Sequence, residues 1–145
     1  MNIRKAVIDD LSELVRLESI YFHNPWTNDQ FKYELEENVF STTLVIEEEN
    51  KLIGYINYWI TFDNATLNKI CIDEDYRKQG LAQKLIDLFE EDCKKNDCMV
   101  ETLEVRVSNE PAKSLYMKNG FNAVTTKKGY YNDGEDALYM VKGVY

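Results

Sequence analysis

The stretch Asp73–Asp92, DEDYRKQGLAQKLIDLFEED, begins acidic, turns basic at Arg77 and Lys78, passes through Gly80 and becomes an amphipathic run. Apolar residues recur at Leu81, Leu85, Leu88, Phe89 and Cys93, a spacing that predicts a helix. The segment before it, ATLNKICID (Ala65–Asp73), reads as a strand. Two cations and a bare backbone therefore fall where a strand hands over to a helix. The first turn of a helix presents unpaired N–H groups at the positive end of its dipole, so it binds anions readily. Gly80 offers a phosphate no side chain to clash with, and Ala82 is nearly as small. An isolated R-x-x-G-x-A is more often a surface turn, and the G-x-x-x-x-G-K-[ST] loop of nucleotide hydrolases is absent.

The bulk properties narrow the partners. The 145 residues carry a formal net charge of −9, with 44% hydrophobic and 30% charged residues. That balance predicts one folded domain spanning residues 1–145, without disulfide or metal staples. An acidic chain is a poor match for nucleic acid, whose backbone is bound by surplus Lys and Arg, and a better one for cationic substrates. Charge alone equally serves solubility. No apolar run approaches a membrane span, and MNIRKAVIDDLSEL lacks the apolar centre of a signal peptide. A cytoplasmic protein that uses neither membrane nor nucleic acid is expected.

Three cysteines, Cys71, Cys93 and Cys98, include no C-x-x-C pair. Cys71 falls in a strand and Cys93 on the apolar helix face, so both are expected in the core. With His23 the only histidine, neither a Ser-His-Asp triad nor a His-built metal site is expected.

Along the chain, IRKAVI reads as a first strand. Asp10 with Glu13 reads as a capping arrangement for a helix over LSELVRLESIYF, which Pro25 ends. Thr27 and Gln30 form a second capping box. STTLVIEEE and KLIGYINYWITF flank a turn at Glu49–Asn50 and predict a hairpin. MVETLEVRV is a strand and PAKSLYMKN a short helix, with Pro111 in its first turn and Gly120 just past its end. FNAVTTKK and DALYMVKGV close as two strands. The order β-α-α-β-β-β-α-β-α-β-β predicts an α/β (α+β) protein with a mixed sheet rather than a doubly wound one.

R-x-x-G-x-A between a strand and an amphipathic helix resembles the pyrophosphate-binding motif of the GCN5-related N-acetyltransferases (GNATs). LEVRVSNEPAKSLYMKNGF, Leu103–Phe121, resembles the strand–Asn–helix–LY…GF segment that follows in that family. Together with PWT at Pro25–Thr27 and GYYNDGEDALYM at Gly129–Met140, these stretches are similar to the bacterial ribosomal-protein alanine N-acetyltransferases within it. The likeness is dense from about Ala65 to Met140. Departures are Ala82 where Gly is common, Glu74 where Pro is common and Lys69 where Asn is frequent.

The resemblance implies a mostly antiparallel sheet of about seven strands flanked by about four helices. It also implies acetyl-CoA as cosubstrate, without a metal, in a cleft where two central strands splay. Its pyrophosphate would meet Arg77, Lys78, Gln79, Gly80, Leu81, Ala82 and Gln83. Ile70, Cys71 and Ile72 would pair with the pantetheine, and Asn109 would touch the same arm besides capping its helix. Glu104 is the implied base and Tyr116 the implied acid. On alternation alone, Glu104 sits with Thr102 and Arg106 on one face of its strand, where a pair with Arg106 or a lysine is the simpler reading. Likewise Tyr116 by itself reads as core. Tyr130, Tyr131 and Trp26 would wall the acceptor, although Trp26 equally suits a hydrophobic staple before its helix.

The acceptor that the resemblance implies is the N-terminal alanine of ribosomal protein bS18, with the enzyme a monomer or weak dimer. A small amine, a lysine side chain, or an acyl-CoA-sensing domain without catalysis are the alternatives.

Overall fold

The computed structural model describes residues 1–143. Seven strands form one sheet in the order β1-β2-β3-β4-β5-β7-β6. They are β1 (Asn2–Lys5), β2 (Ser41–Glu48), β3 (Lys51–Thr61), β4 (Asn64–Ile72), β5 (Val100–Arg106), β6 (Asn122–Lys127) and β7 (Ala137–Gly143). Four helices interrupt them: α1 (Leu11–Tyr21), α2 (Asn28–Glu36), α3 (Leu81–Lys95) and α4 (Glu110–Lys118). The element order predicted from sequence is observed, with two short 3-10 turns added at Ile8–Asp10 and Glu74–Tyr76. Val144, the end of the last predicted strand, lies outside the described residues.

The local signals act as expected with one exception. Thr27 Oγ1 accepts from Gln30 N–H while Gln30 Oε1 accepts from Thr27 N–H, closing the capping box. Glu49 and Asn50 both adopt positive φ, as a two-residue hairpin turn demands. Asn109 Oδ1 accepts from Ala112 N–H at 3.2 Å, and Gly120 follows α4 at φ +96°. The exception is Asp10, which precedes α1 but makes no side-chain cap on it. Its carboxylate instead takes Arg4 Nη1 and Nη2 at 2.8 and 2.9 Å and Val7 N–H at 2.8 Å. A forked guanidinium outbids a single helix amide for the same two oxygens.

Apolar residues on the two faces of the sheet form separate cores. Leu14, Leu17 and Phe31 of α1 and α2 pack on Val45, Leu52, Tyr55 and Cys71. Leu81, Leu85, Ile86, Phe89 and Cys93 of α3 pack on Ile46, Ile56, Tyr58 and Leu103. All three cysteines are buried and free, and burial pushes the Cys71 thiol up to about 12. No helix among the described residues is long and apolar enough to cross a membrane.

The feature that matters for function is the meeting of β4 and β5. It is the sheet's parallel pair, and its register covers only Asn64–Thr66 against Val100–Thr102. Beyond those three rungs the strands part. Upstream, β4 stays zipped to β3 from Gly54–Ile72 to Thr61–Asn64, apart from an irregularity at Asn57–Tyr58 that leaves Asn68 out of the pairing. Downstream, β5 stays zipped to β7 along its whole length.

Candidate active site

A cavity of about 410 Å³ opens where β4 and β5 diverge. From β4 it is lined by Asn68, Lys69 and Ile70, and from β5 by Glu104, Val105 and Arg106. Ser108, Asn109, Ala112 and Tyr116 close it from the start of α4, and Tyr131 from the loop after β6. The end of α1 and the segment behind it supply Tyr21, Phe22, His23 and Asn24.

Alternation on β5 decides which acid reaches this space. Glu101, Leu103 and Val105 are buried while Thr102, Glu104 and Arg106 are half-buried. Glu104 accepts from Lys127 Nζ at 2.8 Å, so the lysine partner that alternation allowed exists, and the carboxylate lines the cavity as well. The two readings are compatible. Lys127 also lies 4.5 Å from the Tyr139 ring, and its pKa is raised by the Glu104 carboxylate.

Tyr116 is 7% exposed and packs edge-on against Phe121 at 6.1 Å. It is a core residue that also lines the cavity. Burial pushes its pKa above the usual phenol range, so the hydroxyl holds its proton at neutral pH.

The phosphate-loop residues stand as an open cradle at the start of α3. Lys78 and Gly80 both adopt positive φ, and a Cβ built on Gly80 would meet nothing within 4 Å. Gly80 O is taken by Lys84 N–H at 3.1 Å, so the amides of Leu81, Ala82 and Gln83 precede the helix's own bonding. Arg77 turns back from this loop: its Nε donates to Ile72 O at 2.9 Å and its guanidinium lies 4.9 Å from the Tyr21 ring. The Gln83 side chain exchanges hydrogen bonds with Asn119, tying α3 to the end of α4. Both the Arg77 and Gln83 side chains brace this turn, which leaves the amides of α3's first turn and Lys78 as the groups expected to meet an anion.

The walls named from sequence divide. Tyr131 lines the cavity, and burial pushes its pKa up to about 12 against the pull of Arg106. Tyr130 stands edge-on to Tyr131 at 5.1 Å and is half exposed, behind the wall rather than in it. Trp26 packs on Phe31 at 5.2 Å, across the start of α2, which is the staple. It bears on the site through Lys69, whose ammonium lies 4.8 Å from its ring and 4.4 Å from that of Phe22.

Sequence reasoning missed the residue beneath Lys69. Glu18 is fully buried and accepts from Lys69 Nζ, from the Tyr55 hydroxyl and from Trp26 N–H. One carboxylate thus joins α1, β3, β4 and the segment before α2. A buried charge tolerates that position only because donors surround it. A polar residue on the inward face of an otherwise apolar helix (Leu14, Leu17, Glu18) was the available signal.

The parted β4–β5 pair and the open start of α3 are features that the resemblance implied. Residues 11–121 match the model of the Acetyltransferase (GNAT) family. The chain belongs to the GNAT acetyltransferases. Among its GNAT relatives, a Bacillus subtilis protein provisionally named [ribosomal protein bS18]-alanine N-acetyltransferase is 42% identical, over 95% of this chain and 92% of that one. An N-alpha-acetyltransferase of Saccharolobus solfataricus is 31% identical, over 97% of this chain and 91% of its own. A crystal structure of the ribosomal-protein-S18-alanine N-acetyltransferase from Escherichia coli superposes with a TM-score of 0.88 at 29% identity. That match covers 99% of this chain and 93% of the other. This GNAT chain is therefore an acetyltransferase.

Proposed function

We propose that this enzyme acetylates protein N-termini, its acceptor being the N-terminal alanine of ribosomal protein bS18 and its donor acetyl-CoA. The observation that carries the reading is that Glu104 and Tyr116 line one cavity beside the released edge of β4. The names of the relatives support the acceptor.

The residues present suit the donor. The open cradle at Gly80, with the amides of Leu81, Ala82 and Gln83, suits a pyrophosphate. The free edge of β4 at Ile70, Cys71 and Ile72 suits an extended pantetheine arm, and Asn109 borders its path. Acetyl-CoA supplies an acetyl group activated as a thioester. The chain supplies the rest. Glu104 takes the proton that the acceptor amine must lose, directly or through one water. An α-amine with a pKa of about 7.7–8.0 is partly neutral already, so a carboxylate base suffices; a lysine near 10.4 asks far more of it. A backbone N–H of β4 meets developing negative charge on oxygen. Tyr116, protonated in its apolar setting, holds the proton that a departing thiolate needs.

Coenzyme A release tests the reading with three peptides: one beginning Ala-Arg, its N-terminally blocked twin, and one offering only an internal lysine. Turnover confined to the free Ala-Arg peptide is expected. Turnover on the lysine peptide alone overturns the N-terminal assignment.

A further inference from the structure

The loop between β6 and β7, residues 128–136, carries the Tyr131 wall and is exposed along most of its length. Within itself it is held by a few bonds, Gly134 N–H to Tyr131 O at 2.9 Å and Glu135 N–H to Asp133 Oδ1 at 3.0 Å among them. Most of its side-chain attachment to the scaffold converges on one group. Arg106 Nη1 donates to Asp133 Oδ2 at 2.8 Å and to Glu135 Oε1 at 2.9 Å, and the guanidinium carbon sits 4.1 Å from the Tyr131 ring. The other Glu135 oxygen accepts from Ser108 N–H at 3.0 Å. Three side chains of one loop thus gather on a single planar cation that is 17% exposed.

Arg106 stands two residues after Glu104 on the same face of β5. The rigid strand that presents the base therefore also fixes the wall facing it. The acids at this mouth are engaged inward, which leaves the arginine, and not an acceptor's cation, as their partner.

We propose that Arg106 is a positioning residue for the acceptor: it clamps the 128–136 loop so that Tyr131 stands as a preformed wall, and so sets acceptor affinity rather than donor binding or chemistry. The proposal rests on the acetyl-transfer reading of the cavity. The guanidinium suits this place because Nη1 meets both carboxylates while the flat group lies over the Tyr131 ring, which a lysine ammonium does not offer.

The test compares Arg106→Met, Arg106→Lys and the double variant Asp133→Asn/Glu135→Gln with the unaltered enzyme, using the Ala-Arg peptide and acetyl-CoA. The peptide KM is expected to rise about tenfold in Arg106→Met and in the double variant, with kcat within about threefold and acetyl-CoA Kd within about twofold. Arg106→Lys, keeping charge without the flat group over the Tyr131 ring, recovers only part of the loss. Amide exchange at residues 128–136 quickens in the same variants, and this readout needs no turnover. A double variant with unchanged KM beside an impaired Arg106→Met means that Arg106 touches the acceptor itself, and overturns the clamp. Loss of acetyl-CoA affinity in step with KM overturns it as well. An unaltered enzyme inactive on the peptide refutes the acceptor reading; unchanged exchange in the loop refutes the clamp.

Discussion

Glu101 is the mirror of Glu104 on the buried face of β5, and replacing it with glutamine should make the protein's stability far less sensitive to pH. Its side chain is fully buried and neither carboxyl oxygen has a hydrogen-bond partner among the described residues. Burial and then the neighbouring Glu90 carboxylate push its pKa up to about 8, although Lys142, which pairs with Glu90 at 2.9 Å, pulls the other way. In the unfolded chain the same group titrates near 4.3. Below that value both states are protonated and Glu101 contributes nothing. Between about 4.3 and 8 the folded state holds a proton that the unfolded state has released, so stability falls by about 1.4 kcal/mol per pH unit. At pH 7 the accumulated penalty is about 3–4 kcal/mol, and above 8 it levels off. The glutamine amide is itself buried at a cost of about 1–3 kcal/mol, but that cost does not vary with pH. The informative quantity is therefore the difference in melting temperature between Glu101→Gln and the unaltered protein, scanned from pH 5 to 8. It should shift in favour of the variant by roughly 10 °C across that range, at about 2–4 °C per kcal/mol. A difference that stays flat refutes the argument, since every other titrating group is common to both proteins.

Tyr116→Phe should lower kcat at least tenfold while acetyl-CoA Kd by calorimetry stays within about twofold, because only the proposed acid's hydroxyl is lost. Glu104→Gln should lower kcat/KM by about 10²–10⁴ at pH 7, the span of a general base, with a rate that recovers as rising pH deprotonates the amine. Gly80→Val places a branched side chain at φ +76°, costing about 1–2 kcal/mol in thermal unfolding and weakening acetyl-CoA through its bulk in the cradle. Asp10→Asn removes the carboxylate that Arg4 holds below its usual range. It should cost about 1.5–3 kcal/mol at neutral pH. That loss should begin to shrink as pH falls below about 4, where the unfolded aspartate takes up its proton first, and vanish only below the depressed native pKa, a trend that urea titrations at pH 3 and 7 would reveal.

Much of the fold was legible because its signals are local. The apolar spacing of α3, the Thr27–Gln30 box and the positive-φ turn at Glu49–Asn50 depend on neighbours within a few residues, and each is observed. Glu104 and Tyr116 were singled out through resemblance; on alternation and helix position alone, an ion pair and a core tyrosine were the simpler readings, and the structure shows both of those. What stayed hidden depends on distant partners. Asp10 was read as a helix cap because Arg4 was not known to reach it. Trp26 was left open between an acceptor wall and a staple, and its ring packs on Phe31 as the staple. Glu18 and Arg106 draw their roles from partners 37 and 29 residues away, Tyr55 and Glu135, a separation that periodicity does not encode.

The three-rung seam between β4 and β5 sets a limit on how far this protein can be improved. Elsewhere in the sheet, stabilising substitutions and better pairing point the same way. At this seam they conflict, because any change that drew the two strands together would gain ladder hydrogen bonds and fill the gap proposed for the substrates. Selection for robustness is therefore free to act on the hairpins and the two apolar faces, but not here. Variants chosen only for melting temperature should accumulate everywhere except along Leu67–Ile72 and Leu103–Arg106, and those that do fall there should be the ones that trade turnover for stability.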